Sequence, residues 1–201
     1  MTNPVLDSQI QKAIRLLKQG GLIAFPTETY YGLGVDPFNT KALQRLFKVK
    51  RRGADKAVLV LVADQSQVER FADSIPVHFN KLMSAFWPGP LTLVFPARSN
   101  VSELLTGGTG TVGIRQSPNP VAIQLLQELA GPITATSANR SGASPATTAA
   151  EVEEIFGSEV DLIIDGGATP GGQGSTLVGF DQKIFCIRDG KIPFETIRNS
   201  L

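Results

Sequence analysis

Apolar residues along the chain fall into two alternating rhythms. Ile10, Ile14 and Leu17 recur at helical spacing, Ser8 stands where a cap is wanted, and Gly20-Gly21 follows. This predicts a helix over 8–19. The apolar run 22–25 predicts a short buried strand, and a second helix opens at Asn39 or Thr40 with Leu43, Leu46 and Phe47 inward. Residues 58–62 are almost continuously branched and apolar, as in a strand covered on both faces. A loosely periodic helical region spans 66–87, and Pro88-Gly89-Pro90 breaks it before a strand over 91–95. Further strands are predicted over 111–115, 132–136, 162–164, 176–178 and 184–187, and helices over 121–129 and 148–156. Strands and helices interleave without a repeat or long linker. The expectation is one α/β domain over 1–201, with a mixed sheet flanked by helices.

Two strings between these elements suit neither a strand nor a helix. Ser137-Ala138-Asn139-Arg140-Ser141-Gly142 combines small hydroxyl and amide side chains with a closing glycine. Pro26-Thr27-Glu28-Thr29-Tyr30-Tyr31-Gly32-Leu33-Gly34 follows the first strand in the same manner. Such segments bring backbone and hydroxyls close to a polar ligand.

Bulk properties narrow the setting. A chain of 201 residues with 42% hydrophobic content can bury one sizeable core. A net charge of +1 gives no global pull toward nucleic acid or anionic lipid. No run approaches the roughly 20 apolar residues that span a bilayer, and residues 1–7 lack the features of a secretory signal. Cys186 is the only cysteine and His78 the only histidine, which excludes an internal disulfide, a cysteine-based metal cluster and a Ser-His-Asp triad. The expectation is a soluble cytoplasmic protein with no membrane partner and no protein-held metal.

Charge is concentrated locally. Residues 41–56 hold seven basic residues (Lys41, Arg45, Lys48, Lys50, Arg51, Arg52, Lys56) against one acid, Asp55. A solvated helix end would account for some of this. Yet Lys50, Arg52 and Lys56 straddle the turn at Gly53 before a buried strand, where side chains can converge on a polyphosphate. Gly32-Leu33-Gly34 lacks the third glycine of a dinucleotide fingerprint, and no G-x-x-x-x-G-K-[ST] string occurs. What remains is chemistry by positioning and charge stabilisation.

These strings together resemble the threonylcarbamoyl-AMP synthase family. The resemblance rests on the 26–34 segment, Lys50-Arg51-Arg52 with Lys56, Phe86-Trp87-Pro88-Gly89-Pro90-Leu91-Thr92, Thr111-Val112-Gly113-Ile114-Arg115 and the 137–142 loop, in that order. It implies a YrdC-like α/β fold with a twisted mixed sheet around a basic concave cleft. It also implies a reaction joining L-threonine, bicarbonate and ATP, with Mg2+ carried by the nucleotide, to give threonylcarbamoyl-AMP and pyrophosphate. Downstream threonylcarbamoyl-transferase proteins then modify tRNA, and tRNA itself is a candidate partner of the basic cleft. Carried over residue by residue, Lys50 and Arg52 resemble catalytic groups, and Arg52, Lys56, Thr111, Ser137, Ser144 and Arg188 resemble ATP contacts. Thr29, Arg115, Ala135 and Ser175 resemble threonine contacts. The chain departs from relatives near Leu61, where some carry histidine, and at Gln173-Gly174, where a glutamate is often seen. Ending at Leu201, it resembles the short single-domain form. Two rivals are a catalytically inert tRNA-binding module and the carbamoyl-adenylate formers of hydrogenase maturation.

Overall fold

A computed structural model describes residues 4–201; Met1, Thr2 and Asn3, part of the segment read for a signal, lie outside the described residues. The first helix, α1 (Pro4–Lys18), begins earlier than expected because a proline suits a helix's first position, leaving Ser8 inside rather than capping. Gly20 ends it at φ +84°, the backbone geometry a glycine tolerates best. Next come β1 (Ile23–Pro26), β2 (Tyr31–Gly34) and α2 (Thr40–Lys50). The Asn39 side chain caps α2 by accepting from Ala42 N–H at 3.1 Å. The chain continues through β3 (Val60–Leu61), α3 (Val77–Phe86), β4 (Leu91–Pro96), α4 (Glu103–Thr106), β5 (Thr111–Arg115) and α5 (Pro120–Leu129). Then follow β6 (Ile133–Thr134), β7 (Thr136–Ser137), α6 (Ala149–Phe156), β8 (Leu162–Ile163), β9 (Thr176–Asp181), β10 (Lys183–Arg188) and α7 (Phe194–Arg198).

The α/β class holds, but the strands form two mixed sheets instead of one. Their orders are β7-β2-β1-β8 and β10-β9-β4-β5-β3-β6. The expected strand over 132–136 is in fact two, because the chain leaves the six-stranded sheet after Thr134 and enters the four-stranded sheet at Thr136. The expected strand over 58–62 narrows to β3. Val58 N–H turns to Leu105 O beside α4 at 3.0 Å, so the first end leaves the sheet, while Val62 N–H still bonds Arg115 O of β5 at 3.1 Å. The region over 66–87 resolves into a 3-10 turn at Gln65–Arg70 and the helix α3.

Two apolar clusters fill the interior. Consecutive residues of β1 and Leu22 just before it feed opposite ones: Leu22 and Ala24 join the larger, Ile23 and Phe25 the smaller. That split follows from the two-residue period of a strand covered on both faces. The smaller cluster packs α1 and α5 against β1; the larger lies beneath α2, α3 and strands β4 and β5.

Strand β2 was not foreseen, since Gly32 and Gly34 disfavour a strand on propensity alone. Packing overrides propensity here. A Cβ on Gly34 would stand 2.4 Å from Ile133 Cδ1 and 2.8 Å from Phe25 Cε1, both in the core. Gly34→Ala should therefore destabilise the fold by about 1–3 kcal/mol through overpacking, read as a lower urea midpoint; an unchanged midpoint would refute the close approach.

Candidate active site

The two sheets meet along a cleft of about 620 Å³. One face of the six-stranded sheet forms its floor: Thr92 and Val94 from β4, Thr111, Gly113 and Arg115 from β5, Ser175 and Leu177 at β9. Alternate residues point the same way, so the spacing of two along each strand places them on one surface. The β1–β2 turn supplies Thr27, Thr29 and Tyr30, and the crossing between sheets supplies Ala135, Thr136 and Ser137.

Hydrogen bonding fixes the turn's chemistry. Thr27 Oγ1 donates to Tyr30 O at 2.8 Å and accepts from Thr29 N–H at 3.3 Å. Its one proton is thereby used, so in the 3.1 Å contact between the two hydroxyls Thr29 is the donor. The Thr29 oxygen then offers its lone pairs to the cleft as an acceptor.

Three arginines line the cleft. Arg52 bends over its own turn, donating from Nε to Lys56 O at 3.0 Å and from Nη2 to Ala57 O at 2.6 Å. Burial lowers its pKa, partly countered by Asp55. Arg188 donates to Ser175 O at 2.8 Å, and burial followed by the Arg115 charge lowers its pKa. Arg115 is paired with Glu28 and keeps its Nε buried without a partner. Ser175 Oγ lies 2.8 Å from Thr92 Oγ1.

Eight of the eleven expected site residues thus meet in one cleft: Thr29, Arg52, Thr111, Arg115, Ala135, Ser137, Ser175 and Arg188. Lys56 and Ser144 are exposed and stand outside this lining. Lys50 is buried behind the wall, so the expected direct approach to phosphate is not what its contacts show. Its Nζ donates to Ser137 O, to Asn139 O at 2.8 Å and to Asn139 Oδ1 at 3.2 Å. Ser141 N–H returns a bond to Lys50 O at 2.9 Å, and Arg140 Nη1 donates to Val49 O. The end of α2 and the 137–142 loop therefore clasp each other in both directions. Leu61 is core, with no place in the cleft lining.

Several participants were missed. Tyr30 donates to Gly172 O, and Gly171 N–H donates to Thr29 O at 2.8 Å. These bonds draw the glycine-rich segment 165–175 across the cleft mouth, where Gln173 and Gly174 join the lining. The density of glycines there was a visible signal. Glu28, which holds Arg115, lay within the 26–34 string without being singled out, and Ser117, which holds Glu28, carried no signal. Asp189 is the lining's one carboxylate, and among the described residues no group of three or more His, Cys, Asp or Glu is placed to hold a metal.

The comparisons agree with this architecture. A family model, Sua5_yciO_yrdC, described as telomere recombination, matches residues 15–190. A threonylcarbamoyl-AMP synthase of Pyrococcus abyssi is 39% identical over 94% of this chain, which spans 56% of that relative. One from Idiomarina loihiensis is 44% identical over 72% of this chain and 79% of its own. The crystal structure of P. abyssi Sua5 complexed with L-threonine superposes with TM-score 0.92 and 38% identity, covering 96% of this chain and 57% of that one. The chain belongs to the Sua5/YciO/YrdC family.

Burial, and secondarily the Arg52 charge, push the Lys50 ammonium from 10.5 down to about 7. Between those values the unfolded chain keeps this proton while the folded chain releases it, so rising pH favours the folded state. The stability of wild type relative to Lys50→Met should grow as pH rises from 7 to 9, by at most about 1.4 kcal/mol per pH unit. Urea titrations of both proteins at pH 7, 8 and 9 measure this. A pH-independent difference would mean that Lys50 titrates as an ordinary lysine.

Proposed function

We propose that this chain synthesises threonylcarbamoyl-AMP, working as one unit over 1–201. The observation that carries the reading is the convergence of Arg52, Arg115 and Arg188 with the hydroxyls of Thr29, Thr111, Ser137 and Ser175 on one cleft. The names borne by its relatives support the same conclusion. Threonine's amine takes up bicarbonate, losing water, to form a carbamate. A carbamate oxygen attacks the α-phosphorus of ATP, and pyrophosphate departs. Negative charge grows on the phosphoryl oxygens and the leaving group, where fixed guanidinium groups lower the barrier. No side-chain nucleophile is required.

Each residue has a part in that scheme. Arg115 takes the threonine carboxylate, and the acceptor oxygen of Thr29 reads the substrate's β-hydroxyl. Ala135 acts through its backbone and Ser175 through its hydroxyl, both on the threonine side. Arg52, Thr111, Ser137 and Arg188 address the nucleotide, with Lys56 and Ser144 at its outer edge. Lys50 serves by holding the Ser137 loop. Magnesium arrives with the nucleotide, gripped by phosphates and water rather than by a protein cage. The product passes to a threonylcarbamoyl-transferase acting on tRNA, which places the enzyme in the cytoplasm.

Two features weaken the alternative of an inert tRNA-binding surface. Arg45 is spent on Asp161, with contacts of 2.5 and 2.9 Å, and Lys50 is buried. A phosphate track also leaves the hydroxyl-rich cleft unexplained. Pyrophosphate release that needs both threonine and bicarbonate separates the two.

Arg52→Ala should cost roughly 2–4 kcal/mol of transition-state stabilisation while changing stability by less than about 1 kcal/mol. Adenylate yield and thermal melting test this together, and full activity would remove Arg52 from the site. Amino acid use should follow the order threonine, serine, valine. Valine leaves the Thr29 acceptor unpaired, whereas serine loses only a methyl contact worth about 1 kcal/mol. Thr29→Val should narrow the gap between threonine and valine in pyrophosphate yield; equal use of both by wild type would relocate the pocket.

A further inference from the structure

Glu28 stands between two cleft residues yet turns away from the cleft. Thr27 and Thr29 line it, while the Glu28 carboxylate reaches behind them to the end of β5. Its Oε1 accepts from Arg115 Nη1 and its Oε2 from the Ser117 hydroxyl. The side chains of Arg115 and Glu28 are 4% and 10% exposed, so solvent screens this pair little. With both oxygens engaged, Glu28 is poorly placed to accept a proton from a substrate.

What Glu28 does is choose an orientation for Arg115. A guanidinium carries five donors in a rigid plane. Glu28 occupies Nη1, and Nε is buried with no partner. Nε is sealed from the cleft as it is from solvent, which leaves the Nη2 end of the plane to meet a ligand carboxylate. Resting on the reading of Arg115 as the carboxylate clamp, we propose that Glu28 is a positioning residue. It fixes the plane of the Arg115 guanidinium at the cleft wall, so that a bound amino acid is gripped through Nη2 with its amine aimed at the adenylating centre. Ser117 holds the carboxylate of Glu28 in place, and Lys191 Nζ bonds Glu28 O at 3.2 Å, steadying the backbone.

Removing the charge has two opposed effects. An unneutralised guanidinium attracts a substrate carboxylate more strongly. A guanidinium without its anchor also accepts that carboxylate in orientations that misplace the amine, and a misplacement of about 1 Å costs on the order of a hundredfold in rate. Ground-state affinity should therefore survive while turnover falls.

The test is Glu28→Gln, with threonine and ATP affinities measured by calorimetry, kcat by pyrophosphate release, and melting temperature alongside. The expected result is a kcat loss at least tenfold greater than any loss of threonine affinity, with ATP affinity within about twofold of wild type. Glu28→Asp, which keeps the charge, should recover part of that kcat. A smaller split, or a parallel fall in ATP affinity and melting temperature, would overturn the positioning role. If Glu28→Gln does not fold, Ser117→Ala decides: a kcat loss beyond threefold at unchanged threonine affinity supports the role, and an unchanged kcat overturns it. Wild type that releases no threonine-dependent pyrophosphate would instead overturn the functional reading and this inference with it.

Discussion

Residues 133–137 have to satisfy two sheets at once. Ile133 and Thr134 pair with β3 in one sheet, while Thr136 and Ser137 pair with β2 in the other. Ala135, between them, donates to Leu59 O at 3.0 Å. Thr134 adds a second tie, donating from its N–H to Val35 O and accepting Val35 N–H at its hydroxyl, at 3.0 and 2.9 Å. Because side chains alternate along a strand, a one-residue slip in either ladder would turn Ser137 away from the cleft. The position of the cleft, the angle between its walls and the loop that follows all inherit this double constraint. The clasp between that loop and the end of α2 then transmits the same geometry to Arg52.

Charge is arranged with comparable economy. Three arginines share a lining with one carboxylate, and the cations feel each other: the Arg115 charge helps lower the pKa of Arg188. Each is restrained by neighbouring oxygens, Arg52 and Arg188 by main-chain carbonyls and Arg115 by Glu28. Neutral dipoles orient a guanidinium without cancelling it, whereas a carboxylate does both. The region nearest Arg52 therefore keeps an excess of positive potential suited to a polyanion. The Arg115 end is closer to neutral and better matched to a small zwitterion.

Sequence reasoning recovered what depends on local pattern. Helix α2 opening at Asn39–Thr40, helix α6 close to 148–156 and strand β5 lie where periodicity and end signals put them. It failed where distant packing decides. Strand β2 is built from glycines whose place is set by Ile133 and Phe25 from elsewhere in the chain. The division of 132–136 between two sheets leaves no trace in the five-residue string Pro-Ile-Thr-Ala-Thr. The site behaved likewise: hydroxyls and arginines in compact motifs were legible, because ligand chemistry demands those residue types. That Lys50 faces backbone oxygens instead of the cleft was not, since a lysine beside an arginine reads the same in either role. Glu28 and Ser117 were invisible because their only role is toward another side chain.

The segment 165–175 crosses the cleft mouth without regular secondary structure, held by isolated bonds such as those of Thr169 N–H to Thr147 O and Lys191 N–H to Gly174 O. Gly167, Gly171 and Gly172 all sit at positive φ, and the bonds from Tyr30 and from Gly171 to Thr29 O are what tie its far half to the β1–β2 turn. The floor beneath it is continuous sheet with a packed core. Two parts of one cavity are thus held differently, one by isolated hydrogen bonds and one by continuous sheet over a packed core, and local opening is easier for the first. Entry and exit of a bulky ligand can then share one local opening event, which would govern its residence time in the cleft.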